Sequence, residues 1–475
     1  MIIRMPKREV LNYTFVILLS IFLGSLCVYF PLYYILPIAI IPVLFLFQIN
    51  HKYFLLLLLI LGFVLFARGF AHLGVEIGGL PLYITEAALF ATLAILLLDK
   101  FVGGDKVNYL KNIPLKKEFV FFYLIGFIAL VRGFIYYTPV LTLRHSALFY
   151  YSIFYFLMPI LFSNLRRIEL LFKLFFIASI VVPVAILLKI TPQLNVYGGL
   201  GGFNYLYLSL AVIVESFYFT SLKRRVYKIL LLLVIFLQLL VILTGTVRGA
   251  WIALLVSMLF FLYVSSKMGK LKRKMRKLFL LAILGGIILV IFTASIKPVS
   301  FDKVKTDVVS TVFFYRMQSV SANNVWWRLF IWRDMLRGLS KKPLFGWGFG
   351  RPFRSPTLEA LGWEHGEKEG WIDPHNSHLN IAYKAGIIGY LVFLLIVVRF
   401  FKRTMRFLLG MRGDNKTKLY IGALLTCSVN VLVLSFFEVV LEGPYMGSFL
   451  WITMGLIVAL ESVYRKKEAD MGRIL

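Results

Sequence analysis

A short run, Pro374-His375-Asn376-Ser377-His378, stands where a polar segment gives way to a long apolar one. A histidine in that position titrates near neutral pH and can serve as a general base toward a hydroxyl. His375 and His378 are three residues apart and share a face if the following helix begins early. No carboxylate or third histidine completes a metal set at fixed spacing, so no metal is expected. The plainer use of the two histidines is as polar residues at a membrane interface. Asn376 and Ser377 are residue types that cap a helix. Upstream, Arg328 follows Trp326-Trp327 and precedes Trp332, and glycines at 346, 348 and 350 imply a tight turn. Such a glycine turn is weak evidence for phosphate binding by itself.

Arginines supply the second set of candidates. Arg68, Arg132 and Arg248 are each followed by glycine at the outer end of an apolar run. An arginine at membrane depth costs about 3 kcal/mol unless paired or hydrated, which makes each a functional candidate. Snorkelling to the interface is an equal alternative for Arg68 and Arg132. Arg248 sits in a polar break, Leu243-Thr244-Gly245-Thr246-Val247-Arg248-Gly249, and is harder to place that way. Guanidinium forks match phosphate oxygens in pairs and keep their charge. Several of them around one outward-facing cavity suit a lipid-linked phosphate or diphosphate. Glu86, beside Thr85, is placed to pair with one of these arginines, with structural pairing as its plainer use. Glu438 and Glu442 near the last outer loop admit the same two readings.

The elements that must position these residues are membrane helices. The 475 residues are 60% hydrophobic and 16% charged. Continuous apolar runs long enough to cross roughly 30 Å of hydrocarbon recur along the chain. Lipid offers no partner for backbone groups, so the runs must be helices, and a barrel would instead alternate apolar and polar residues. The expected spans are 11–30, 32–48, 53–67, 80–98, 119–137, 147–163, 170–190, 203–220, 227–244, 248–265, 278–296, 378–400, 417–440 and 445–464. The first is read as a retained span with no convincing cleavage site. Short or re-entrant pieces around Pro31, Pro37 and Pro42 would reduce the count from 14 to 12.

The net charge of +30 lies mostly in alternate short loops, densest between Lys267 and Lys277. That is the positive-inside pattern, and it places both termini in the cytoplasm and argues against a nucleic-acid partner. Cys27 and Cys427 lie inside apolar runs without ligand spacing. The expected fold is therefore all-α: a polytopic transmembrane helix bundle with one large external loop containing short helices. Its parts are N-terminal spans over 1–296, the loop over 297–377, and C-terminal spans with a cytoplasmic tail over 378–475. Within the loop, Asn323 or Asn324 is placed to cap a helix to about Leu339, with Trp327, Ile331 and Met335 on one face.

Taken together, these motifs resemble the bacterial O-antigen ligase and polymerase superfamily. The carrying residues are Arg328 with Trp332, the Pro343-Leu344-Phe345-Gly346-Trp347-Gly348 turn, His375-Asn376-Ser377-His378-Leu379, and Gly386-Ile387-Ile388-Gly389. The segment at Arg248 also resembles the family, with Val247 where a serine is usual. Motif resemblance covers at least 240–400, and the multispan layout extends it.

The resemblance implies a metal-independent, cofactor-free membrane glycosyltransferase at the outer face of the bacterial inner membrane. Its donor is a glycan on undecaprenyl diphosphate, and its acceptor is a hydroxyl of lipid A-core, of another carrier-linked repeat unit or of a protein side chain. By motif, Arg248 and Arg328 bind the diphosphate and His375 takes the acceptor proton. Arg68, Arg132, Glu86, Trp332, Asn376 and His378 are further candidates for donor or acceptor contact, and Trp326, Trp327 and Trp347 for sugar stacking. The competing class is a flippase for lipid-linked oligosaccharide, or another transporter. Against it, the chain shows no related halves and gathers its polar residues at one outer face.

Overall fold

A computed structural model describes residues 53–102, 113–187, 204–244, 247–269, 320–360 and 374–472. The expected spans 11–30, 32–48 and 278–296 lie outside these residues, as does the basic run after Gly269. The chain divides into two compact units, 1–109 and 110–475.

In the first unit, helix α1 (Phe54–Ala71) leads through an antiparallel hairpin, β1 (Gly74–Ile77) and β2 (Leu80–Tyr83), into α2 (Ile84–Val102). Gly78 and Gly79 both take positive φ, the geometry a two-residue hairpin turn needs. The helix therefore starts at Ile84, four residues after the expected start of that span. Arg68 lies in α1, and Glu86 lies buried in the first turn of α2.

Among its described residues the second unit has helices and no strands. Its long elements are α3 (Lys116–Tyr136), α7 (Leu165–Leu187), α8 (Asn204–Ser221), α9 (Arg225–Thr244) and α10 (Arg248–Lys267). They continue as α11 (Val320–Lys341), α13 (Ser377–Gly410), α14 (Asn415–Leu434) and α15 (Gly447–Gly472). The shorter α4 (Pro139–His145), α5 (Ala147–Tyr151) and α6 (Phe154–Leu161) follow α3, and α12 (Pro356–Ala360) follows α11. The run expected as one span at 147–163 is thus two short helices, α5 and α6.

Six described helices are long and apolar enough to cross a membrane: α3, α9, α10, α13, α14 and α15. Helix α15 is enclosed by the others, with Trp451 wholly buried against Phe119, Phe122 and Phe393. Helix α3 instead turns Phe121, Leu124, Phe127 and Ile135 outward. An apolar stripe of that size on a long helix is a lipid-facing surface. The molecule is a multi-pass membrane protein.

Helix α11 begins at Val320, earlier than the asparagines expected to cap it. Its Ile331 and Met335 join Phe353, Leu358 and Tyr383 in a buried cluster, with Trp327 packed on its edge as the helical spacing implied. Asp334 fastens α11 to the next segment. It accepts from Ser355 Oγ at 2.6 Å, Thr357 N at 2.9 Å and Thr357 Oγ1 at 2.8 Å.

Burial pushes the Asp334 carboxyl up, but these hydrogen bonds and the Arg333 guanidinium outweigh it and hold the group below the usual carboxylate range. A carboxyl depressed by folding contributes stability that is present above its unfolded value and lost as pH falls through the folded one. Acidification should therefore release the 355–360 segment to protease in the wild type. In Asp334→Asn the segment should be open already at neutral pH, and matching digestion profiles for the two proteins would refute the linkage.

Helix α13 is broken. Gly386 has φ 77° and ψ 176° inside it, which frees backbone groups that a lipid environment cannot satisfy. The glycine turn after α11 satisfies them. Trp347 N donates to Tyr383 O at 3.0 Å and Gly348 N to Lys384 O at 2.9 Å. In return Ile387 N donates to Pro343 O at 2.8 Å and Ile388 N to Leu344 O at 3.2 Å. Two backbones meet here without room for side chains: a Cβ on Gly386 would overlap Leu344 O, and one on Gly346 (φ 60°) would lie 2.5 Å from Gly386 N. Gly386→Ala should cost roughly 1–3 kcal/mol from the positive φ alone, with more from the overlap. A Gly386→Ala protein with wild-type melting temperature would refute this clasp.

Candidate functional site

Three pieces of chain meet at the N-terminal end of α13. They are helix α11 with Trp327, Arg328 and Trp332, the residues 374–380 that start α13, and the connection 435–446 between α14 and α15. His375 is at their centre. Its φ of 46° is in the left-handed region, a cost of about 1–3 kcal/mol that persists only where surroundings dictate it.

Those surroundings are specific. Trp332 Nε1 donates to Pro374 O at 2.7 Å, one residue before the strained position. Asn376 caps α13 by accepting from Leu379 N at 3.0 Å, and Ser377 N donates to Ser435 O at 2.8 Å. Trp327 meets the His375 ring edge-on with centroids 5.4 Å apart.

His375 Nδ1 lies 2.7 Å from Glu438 Oε2. The other carboxylate oxygen, Glu438 Oε1, accepts from Arg328 Nη2 at 3.2 Å, and Arg328 Nη1 donates to Phe437 O at 3.0 Å. One carboxylate thus links the candidate base to the candidate anion-binding arginine. A carboxylate on Nδ1 favours the tautomer whose basic lone pair is on Nε2. The three side chains remain 34%, 22% and 30% exposed for His375, Glu438 and Arg328, enough for a substrate to reach them.

Glu442 braces the same loop from the inner side. Its Oε2 accepts from Ser377 Oγ at 2.7 Å and its Oε1 from Asn380 Nδ2 at 3.0 Å. His378 points inward as well. Its Nε2 is 2.8 Å from Ser435 Oγ, its Nδ1 is 3.3 Å from Tyr390 OH, and its ring stacks on Phe436 at 3.8 Å. His378 and Asn376 therefore shape the loop around His375, and His378 lies turned away from it.

The other candidates fall as follows. Arg248 opens α10, and its neighbour Gly249 packs so closely on Phe437 that a Cβ there would sit 2.8 Å from Phe437 Cβ. Arg328 bonds the carbonyl of that same Phe437. Arg132 donates to Phe345 O at 3.0 Å, bracing the glycine turn. Trp347 is engaged by Arg351 at 3.3 Å and Lys342 at 4.4 Å from its ring, and donates to Gly338 O at 3.0 Å. Trp326 stacks on Phe330.

The turn's amides are also committed. Gly348 N is bonded to Lys384 O, Phe349 N to Ala129 O at 3.1 Å, and Gly350 N to His145 Nδ1 at 3.0 Å. The glycines serve a structural clasp, and the phosphate-cradle reading of this turn falls. Among the described residues, no group of three His, Cys, Asp or Glu is arranged to hold a metal ion.

Glu438 is the residue whose part sequence reasoning left open. It is 63 positions from His375, and no spacing rule connects them.

Residues 231–394 match the O-antigen ligase family. The O-antigen ligase match takes in Arg248, Arg328, Trp332, the glycine clasp and the His375 segment, and agrees with the motif resemblance over 240–400. Glu438 lies beyond it. The chain is also 26% identical over 137 residues to a Rickettsia felis protein that bears the name of a polysaccharide ligase, covering 28% of this chain and 30% of that one. A Rickettsia conorii protein of the same description is 33% identical over 82 residues, 16% of this chain and 19% of its relative. The chain thus spans less than a third of the length of either relative.

Proposed function

We propose that this protein is a ligase-type glycosyltransferase that moves a glycan from an undecaprenyl-diphosphate carrier to an acceptor hydroxyl at the outer face of the cytoplasmic membrane. The observation that carries this reading is the His375–Glu438–Arg328 chain at the N-terminal end of α13. It joins a base to a guanidinium through one carboxylate, the pair of functions that displacement of a diphosphate by an alcohol requires.

In the proposed reaction, His375 Nε2 removes the acceptor hydroxyl proton as that oxygen attacks the anomeric carbon. The bond from anomeric carbon to diphosphate oxygen breaks, and its electron pair leaves with the diphosphate. Negative charge grows on that oxygen, and fixed guanidiniums from Arg248 and Arg328 are suited to stabilise it in a site of low dielectric. Glu438 keeps the imidazole oriented and stabilises the imidazolium that forms. Direct displacement inverts the anomeric configuration. Trp327, set against the base, is the aromatic best placed to meet a sugar ring. The acceptor is a lipid-anchored glycan or another hydroxyl-bearing molecule of the cell envelope.

The reading is tested with purified protein, a lipid-diphosphate glycan and an acceptor glycolipid in detergent, without ATP or an ion gradient. Product is expected. Absence of product, combined with movement of the donor across a sealed bilayer, would assign the protein to transport instead.

A further inference from the structure

Three packed helices of the second unit each place one polar side chain at a common buried point. Ser179 of α7, Glu215 of α8 and Gln238 of α9 are 2%, 1% and 0% exposed. All three lie well inside their helices, away from the ends. Burying an ionisable group there is costly and marks a site with a task.

The hydrogen atoms can be counted. Gln238 Nε2 is 3.2 Å from Ser179 O, which can only accept, so this atom is the amide nitrogen; it also donates to Glu215 Oε1 at 2.8 Å. Ser179 Oγ lies 2.7 Å from Glu215 Oε1 and 2.7 Å from Phe176 O. A hydroxyl has one hydrogen, and an ionised carboxylate and a carbonyl both only accept, so one of these contacts lacks a proton. Glu215 Oε2 and Gln238 Oε1 are sealed from solvent with no hydrogen-bond partner. A carboxylate anion would therefore be half-solvated and uncompensated.

No cation among the described residues offsets it. Helices α7, α9, α10 and α14 pack around α8. Only Ser179 and Gln238 act on the Glu215 carboxyl, and no charged group does so among the described residues. From α10 the nearby group is Met258 at Ser216, and from α14 they are Cys427 at Leu210 and Tyr420 at Tyr218.

We propose that Glu215, Ser179 and Gln238 form an intramembrane proton-binding site, in which Glu215 is the neutral acid and its proton completes the hydrogen-bond chain joining α7, α8 and α9. With the proton on Oε1, Glu215 donates to Ser179 Oγ, Ser179 donates to Phe176 O, and Gln238 donates to both Glu215 and Ser179 O. Every close contact then has its hydrogen. Helix α8 packs on α10, which begins at Arg248, and on α14, which leads into the loop of Glu438. The bound proton thus fastens the scaffold beneath the outer cluster.

Infrared difference spectra of the full-length protein in detergent at neutral pH, wild type minus Glu215→Gln, test this. The expected result is a protonated-carboxyl C=O band present in wild type and lost in the variant. Carboxylate bands in its place would overturn the proposal. Thermal melting gives a second readout: Glu215→Gln, whose amide is neutral but cannot both donate and accept at the position of Oε1, should melt between the wild type and Glu215→Ala, with Glu215→Ala several degrees below the wild type. A Glu215→Gln protein as unstable as Glu215→Ala would overturn it. So would a wild-type melting temperature that rises with added sodium while that of Glu215→Gln does not, which would make the ligand a metal ion.

Discussion

Replacing His375 by alanine should lower glycan transfer by about a hundredfold to ten-thousandfold, the range for loss of a general base. The acceptor hydroxyl remains a poor nucleophile until its proton leaves, and among the described residues the neighbouring histidine, His378, is turned inward onto Ser435 and Phe436. Glu438→Gln should be impaired as well. An amide can donate to Nδ1 and select the opposite tautomer, which puts the lone pair on the wrong nitrogen. Single-turnover transfer rates check both variants. A Glu438→Gln protein at wild-type rate would show that the carboxylate does not orient the base. The strained φ of His375 matters here, because alanine tolerates it less well than histidine. His375→Asn, which accepts that conformation, is the control for lost geometry, and should be as inactive as His375→Ala.

The second large effect is expected at Arg328. Arg328→Lys keeps the charge but cannot hold Phe437 O and Glu438 together as the planar fork does. Loss of one charge-stabilising donor typically costs about a hundredfold to a thousandfold in rate. Because the diphosphate is bound before it leaves, donor affinity should fall too, which separates this variant from those at His375. Full transfer activity in Arg328→Lys would reduce the arginine to an interface residue. The corresponding change at Arg248, beside the Gly249–Phe437 contact, should behave alike if the two act on one diphosphate.

What the amino-acid sequence disclosed followed from how local each signal was. Apolar runs disclosed the helices, and the Trp327, Ile331, Met335 spacing disclosed the buried face of α11, because periodicity is a property of neighbours. The Asn376 cap was readable for the same reason. The hairpin at Gly78-Gly79 was readable in principle, but an apolar run starting at Leu80 concealed it. Long-range partners were not readable. The three glycines of the clasp signal a turn, yet nothing in them says that their amides serve a helix broken at Gly386. Arg132 was open between snorkelling and a substrate contact, and nothing local pointed to its carbonyl partner, Phe345 O, 213 positions away. Glu438 carried two readings, functional and structural pairing, and nothing local pointed to its place between His375 and Arg328.

The division of labour between base and arginines is tested most directly by measuring, on one preparation of purified His375→Ala, both donor dissociation constant and single-turnover transfer rate. Proton removal matters only in the transition state, whereas the arginines also hold the ground state. The expected result is a dissociation constant within about twofold of wild type and a rate reduced at least about a hundredfold. A folded His375→Ala protein that binds donor and transfers at near wild-type rate would contradict the assignment.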